Sequence, residues 1–85
     1  MNTPESATTR RLKRCFRDVF RDNLPDDVAT AEMSNVATWD SMMTWNLVLL
    51  LQEQFGITIG LDQIPNLTSF VAVEGYIGRK VISAT

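Results

Sequence analysis

At 85 residues, with a net charge of −2, one cysteine and no histidine, the chain has room for one domain with a modest core and not for a large substrate cleft besides. The missing imidazole excludes histidine-based nucleophile triads and histidine metal ligands, and a single thiol excludes an internal disulfide or a CxxC pair. Nothing in this composition equips the chain to catalyse alone, so no enzyme and no metal site is expected.

The lone Cys15 fits a reducing compartment, and the polar start lacks the basic, apolar and small-residue pattern of a secretory signal. A cytoplasmic monomer is the expectation. The longest apolar run, Leu47 to Leu51, is far short of the ~20 residues a spanning helix requires. No membrane span is expected.

A flexible segment over 1–7 and a tail over 83–85 are expected to flank a helical domain over 8–82. Leu12, Cys15, Phe16, Val19 and Phe20 follow offsets 0, 3, 4, 7 and 8, one apolar stripe along a first helix over about 8–23. Leu24-Pro25 stops it, since proline disfavours helical geometry in the residue before it. Cys15 on that stripe reads as a small buried hydrophobe. Arg10, Arg11, Lys13, Arg14, Arg17 and Arg21 crowd the same region, whereas positions 22–78 hold acids and no Lys or Arg. The arginines read as a solvated face with local pairing to Asp18 and Asp22. With no exposed aromatic among them and an acidic body, nucleic acid is not an expected partner.

A long loop follows over about 24–39, where Met33, Val36 and Trp39 are expected to anchor an ordered path. A second helix is predicted over 41–55, closed by Gly56, a residue that tolerates the left-handed C-cap conformation. Ile57-Thr58-Ile59 reads as short and extended. A short helix is plausible over 61–66, limited by Pro65. Thr68 or Ser69 can cap a last helix to about 81 that buries Phe70, Val73 and Ile77. The predicted architecture is all-α, a small bundle of three long helices and one short one.

The junction Trp39-Asp40-Ser41-Met42 carries the functional information. Serine or aspartate here caps a helix, and the same helix end, with free N–H groups and a positive dipole, favours a phosphate. Ser41 is thus either a cap or a hydroxyl carrying a phosphate ester. The helix beyond it has more apolar residues than one face can hide. With Leu47, Leu50, Leu51 and Phe55 inward, Met42, Trp45 and Leu49 share another face, exposed beside Ser41 and suited to docking partners. Full burial of both faces in a central helix is the competing expectation.

Trp39-Asp40-Ser41-Met42, the leucine-rich helix ending Gln52-Glu53-Gln54-Phe55-Gly56-Ile57, and the tail Leu67-Thr68-Ser69-Phe70-Val71-Ala72-Val73-Glu74-Gly75-Tyr76-Ile77 together resemble acyl carrier proteins, over nearly the whole chain. The resemblance implies a discrete carrier used in trans. It implies that Ser41 is esterified by a 4′-phosphopantetheine arm, which a phosphopantetheinyl transferase takes from coenzyme A. Acyl groups would then ride as thioesters on the arm. Asp40 matches the family aspartate before the serine, and would both cap the helix and assist the transferase's metal site. The implied partners are that transferase and acyl-loading and acyl-processing enzymes of acyltransferase, ligase and ketosynthase type.

The sequence also departs from the family. Met42 replaces the commoner leucine, Met43 stands where polar or acidic residues are frequent, and Asn46, Gln52 and Gln54 are neutral where acids are frequent. Only Asp40 and Glu53 keep the recognition helix acidic. Partners reading an apolar face over Met42, Trp45 and Leu49, with Asn46, Gln52 and Glu53 around it, are favoured over those steered by charge. A polyketide or other specialised pathway is expected rather than housekeeping fatty-acid synthesis. An aminoacyl cargo, D-alanyl or peptidyl, remains an alternative, because Asp-Ser-Met also occurs in D-alanyl carriers, although the Gly-Gly of peptidyl carriers is absent. A helical interaction domain in which Ser41 only caps is a second alternative.

Overall fold

The computed structural model describes the backbone of residues 6–83 and the side chains of residues 6–80. Three α-helices, α1 (Ala7–Phe20), α2 (Ser41–Phe55) and α3 (Phe70–Ser83), carry the fold, with shorter 3₁₀ segments at Arg21–Asn23, Val28–Thr30 and Leu61–Asn66. Among the described residues there is no strand, so the fold class is all-α as expected. The segment expected over 1–7 and the tail over 83–85 fall mostly outside the described residues. Ala7 already belongs to α1 and Ser83 to α3.

Ser6 starts α1 by accepting from the Thr9 N–H at 3.0 Å, relieving one of the unpaired donors at a helix start. Leu12, Cys15, Phe16 and Phe20 are buried along the predicted stripe, while Val19 is half-buried at its edge. The α-helix ends three residues before the expected limit. Arg21 turns to φ 53°, ψ −120°, and the path continues to Asn23 as a tighter 3₁₀ turn.

Phe16 is the hub of the core. Its ring lies 5.0 Å from Phe70 of α3, 5.5 Å from Trp39 and 5.7 Å from Phe20, and Phe20 in turn lies 5.0 Å from Trp39. Truncation of such a side chain to alanine costs about 3–5 kcal/mol through lost transfer energy and the cavity left behind. At the other end of α1, Arg11 sits 4.7 Å over the Phe55 ring and donates to the Gln54 carbonyl. These two contacts set α1 and α2 antiparallel. They put the C-terminal end of α1 at the level of Trp39, next to the start of α2.

The loop between α1 and α2 is ordered, and its anchors differ in part from those expected. Val36 and Trp39 are buried, but Met33 is 37% exposed, and Val28 and Ala31 take the core positions instead. The backbone explains the exchange. The Met33 N–H donates to Thr68 O at 2.9 Å and the Phe70 N–H to Ala31 O at 2.8 Å, an isolated antiparallel bridge centred on Glu32 and Ser69. That clasp seats Ala31 in the core and leaves Met33 beside Thr68, at the surface.

Gly56 closes α2 at φ 63° with its N–H on Gln52 O, the left-handed C-cap expected of it. The Ile57-Thr58-Ile59 stretch is irregular, and Ile59 is buried. Ser69, not Thr68, caps α3, accepting from the Ala72 N–H at 3.1 Å. Phe70, Val73 and Ile77 are fully buried as predicted. Thr9 Oγ1 donates to Glu74 at 2.8 Å, tying the start of α1 to α3.

Candidate functional site

Asp40, not Ser41, is the cap of α2. Its Oδ1 accepts from the Met43 N–H at 2.9 Å while its carbonyl accepts from the Thr44 N–H at 2.9 Å. Ser41 is the first helical residue, exposed, and its hydroxyl has no hydrogen-bond partner among the described residues. The backbone N–H groups of Ser41 and Met42 are the remaining unpaired donors of the first turn, directly beside that hydroxyl. They sit at the positive end of the helix dipole, where an anion is favoured. The donor set therefore fits a phosphodiester on Ser41.

A buried relay fixes this turn. Trp39 is 3% exposed, its indole N–H donates to Thr44 Oγ1 at 2.8 Å, and the Thr44 hydroxyl donates to the Asp40 carbonyl at 2.9 Å. The turn is thus tied to the core through Trp39 and Thr44 while Ser41 itself is exposed.

Beside Ser41 lies a groove of about 290 Å³ between α2, the clasped loop and the 3₁₀ helix, lined by Met33, Ser41, Thr44, Ile64, Pro65, Leu67 and Thr68. Its lining is predominantly apolar. Sequence reasoning missed this groove. Thr44 shares a helix face with Ser41 at offset 3, a signal that was legible, but Ile64 to Thr68 reach it only through the tertiary fold.

Met42 is 73%, Trp45 43% and Leu49 47% exposed, so the second apolar stripe of α2 is a surface feature. Leu47, Val48 and Leu51 are buried on the opposite side, with Leu50 and Phe55 half-buried against the core. Asn46 and Glu53 are exposed next to the stripe, and the Asn46 amide reaches the Met43 sulfur at 3.7 Å. Gln52 lies on the same face, three residues on from Leu49. It is half-buried, and its Oε1 accepts from the Ile59 N–H at 2.8 Å, holding the segment after α2.

Burial first, and then the neighbouring Asp18, push the Cys15 thiol above its ordinary range, so it stays protonated and unreactive in the core. No group of three or more acidic or thiol side chains gathers as a cation site among the described residues. No helix there is long and apolar enough to cross a membrane. Comparison with protein-family models, curated proteins and solved structures finds no match to this chain.

Proposed function

We propose that the protein is a carrier that holds acyl groups as thioesters on a 4′-phosphopantetheine arm esterified to Ser41, in a dedicated polyketide or other specialised pathway. The observation that carries this reading is the division of labour at the start of α2. Asp40 does the capping, so the Ser41 hydroxyl is exposed and unengaged, next to free N–H donors. A serine needed only for stability would occupy the cap itself.

Each neighbouring feature has a part in that function. Among the described residues no side chain hydrogen-bonds the Ser41 hydroxyl as a base would, so its proton would leave through the transferase that modifies it. The free amides of Ser41 and Met42 would hold the phosphodiester. The arm supplies the terminal thiol on which cargo rides. Met42, Trp45 and Leu49 offer transferase and acyl-processing partners an apolar docking face, with Asn46 and Glu53 at its rim. The groove beside Ser41 offers apolar surface to the cargo's hydrocarbon part.

The test is incubation with coenzyme A, magnesium and a promiscuous phosphopantetheinyl transferase, followed by intact mass. One arm is expected on the wild-type chain and none on Ser41→Ala. An unmodified wild-type chain would sink the assignment. Loading trials with acyl- and aminoacyl-activating enzymes then separate an acyl cargo from an aminoacyl one.

A further inference from the structure

The outer face of α1 carries a feature that the carrier reading does not use. Arg10, Arg14 and Arg17 stand at offsets 0, 4 and 7 on the helix, and Arg21 follows at 11, at its cap. At 3.6 residues per turn Arg10, Arg14 and Arg17 fall within a band about 60° wide, and Arg21, beyond the helix, joins them by lining one depression with Arg17. All four are exposed, and none of their side chains has a hydrogen bond or ion pair among the described residues. The local pairing to Asp18 and Asp22 expected from sequence is therefore absent, although Arg17, Asp18, Arg21 and Asp22 line one open depression. Arg11 differs from the stripe, being committed to Phe55 and Gln54 of α2.

The last arginine gives the stripe its weight. Arg21 is the one non-glycine residue with positive φ among those described, at φ 53°, ψ −120°, where the 3₁₀ turn Arg21–Asn23 begins. Glycine fills that backbone region without strain, and other residues held there point to a use for the side chain. A cation that extends the stripe occupies it.

Among the described residues the stripe forms no ion pair within its own body. Positions 22–78 contain eight acids and no Lys or Arg; among the described residues none of these acids forms an ion pair with the stripe, although Asp22 lines the depression beside Arg17 and Arg21. A surface complementary to the stripe is acidic and belongs to another molecule. Two features favour a protein segment over a uniform polyanion. Asp18 and Asp22 share the depression with Arg17 and Arg21, so a duplex or an anionic bilayer would be pressed against two carboxylates, whereas a protein can alternate its own groups to match. The exposed large apolar residues, Met33, Met42, Trp45, Leu49, Leu61 and Val71, all lie off α1. That helix therefore has no side chain to insert in lipid or stack on bases.

We propose that Arg10, Arg14, Arg17 and Arg21 form a docking stripe for an acidic helical segment of a partner protein, with carboxylates spaced to meet them. The antiparallel packing of α1 on α2 puts the Arg17 and Arg21 end of this stripe at the level of Trp39, so the bound segment extends toward the end of the molecule that bears Ser41. The inference stands whether or not Ser41 carries an arm.

The probe is a fluorescein-labelled alanine-based helix with glutamates at offsets 0, 4, 7 and 11, titrated with the full chain and followed by anisotropy at low and at physiological salt. Saturable binding that weakens with salt is expected. In R10Q/R14Q/R17Q/R21Q the dissociation constant rises about tenfold, from four exposed charge contacts each of modest strength. R79Q/K80Q, which removes two exposed cations outside the stripe, leaves it unchanged. Amide shifts in the unmodified protein on adding peptide should cluster over residues 10–21, a readout independent of how the variants fold. Absence of binding, equal binding by the four-glutamine variant, equal loss in R79Q/K80Q or shifts elsewhere overturns the proposal. Tighter binding of duplex DNA or phosphatidylserine vesicles through the same arginines also overturns it.

Discussion

The indole N–H of Trp39 donates to the hydroxyl of Thr44 across 2.8 Å in the core, and that hydroxyl donates onward to the carbonyl of Asp40 at 2.9 Å. One buried threonine thus connects the aromatic core to the residue just ahead of Ser41. Thr44→Val keeps the shape and orphans the buried indole donor, which costs about 1–3 kcal/mol. The expected result is a lower urea midpoint with an unchanged slope, and recovery of most of the loss in Thr44→Ser.

Asp40 combines two roles that substitution can separate. Asp40→Ala removes the cap and costs about 1 kcal/mol, whereas Asp40→Asn retains a capping oxygen and should fold with near wild-type stability. If the Asp40 charge assists the transferase as the family resemblance implies, Asp40→Asn slows arm transfer in a mass-spectrometric time course without moving the denaturation midpoint. Wild-type transfer by Asp40→Asn would confine Asp40 to capping.

Arg21→Gly should stabilise the fold by about 1 kcal/mol, because glycine occupies φ 53°, ψ −120° without the strain an arginine bears there. Thermal unfolding should shift upward by roughly 4–8 °C for a domain of this size. Arg21→Ala keeps the strain and should give no such gain.

Cys15 ties stability to alkaline pH. Burial, then Asp18, raises its folded-state pKa above the ordinary 9.0. The native state therefore holds the thiol proton more tightly than the unfolded chain. This contribution is complete below pH 9.0 and is lost as pH climbs from there through the folded value. Urea midpoints of the wild type should fall more steeply above pH 9.0 than those of Cys15→Ala. Thiol reagents should label Cys15 slowly until urea unfolds the chain.

The two tryptophans report opposite environments. Trp45 is 43% exposed and Trp39 3%, so Trp45→Phe should leave blue-shifted emission that resists acrylamide. The emission lost with Trp45 should be red-shifted and readily quenched. Binding of a partner at the α2 face would protect that component alone.

Where a local pattern decides the outcome, the amino-acid order was sufficient. The stripe of Leu12, Cys15, Phe16 and Phe20, the left-handed Gly56 and the exposed Met42, Trp45 and Leu49 all follow from helical spacing and backbone preference. Contacts between distant positions were not legible. Met33 looked like an anchor because it is apolar, but pairing of its backbone with Thr68 decides where it lies. The bond from the Ile59 N–H to the half-buried Gln52 side chain is of the same kind, since it joins α2 to a segment beyond Gly56. The Ser41 neighbourhood divides the same way. The serine and its cap are local features, whereas the groove wall from Ile64 to Thr68 depends on how the loop and α3 meet.

The clasp between Ala31, Met33, Thr68 and Phe70 has a topological consequence. It ties two distant points of the chain together, and the whole of α2 lies on the stretch between them, so α2 is a captive helix inside a closed ring of backbone. Its loosening is coupled to release of the first turn of α3, and the two should exchange their amide hydrogens as a single unit. Met33 and Phe70, whose N–H groups form the clasp, are the sites at which the frequency of that opening can be read.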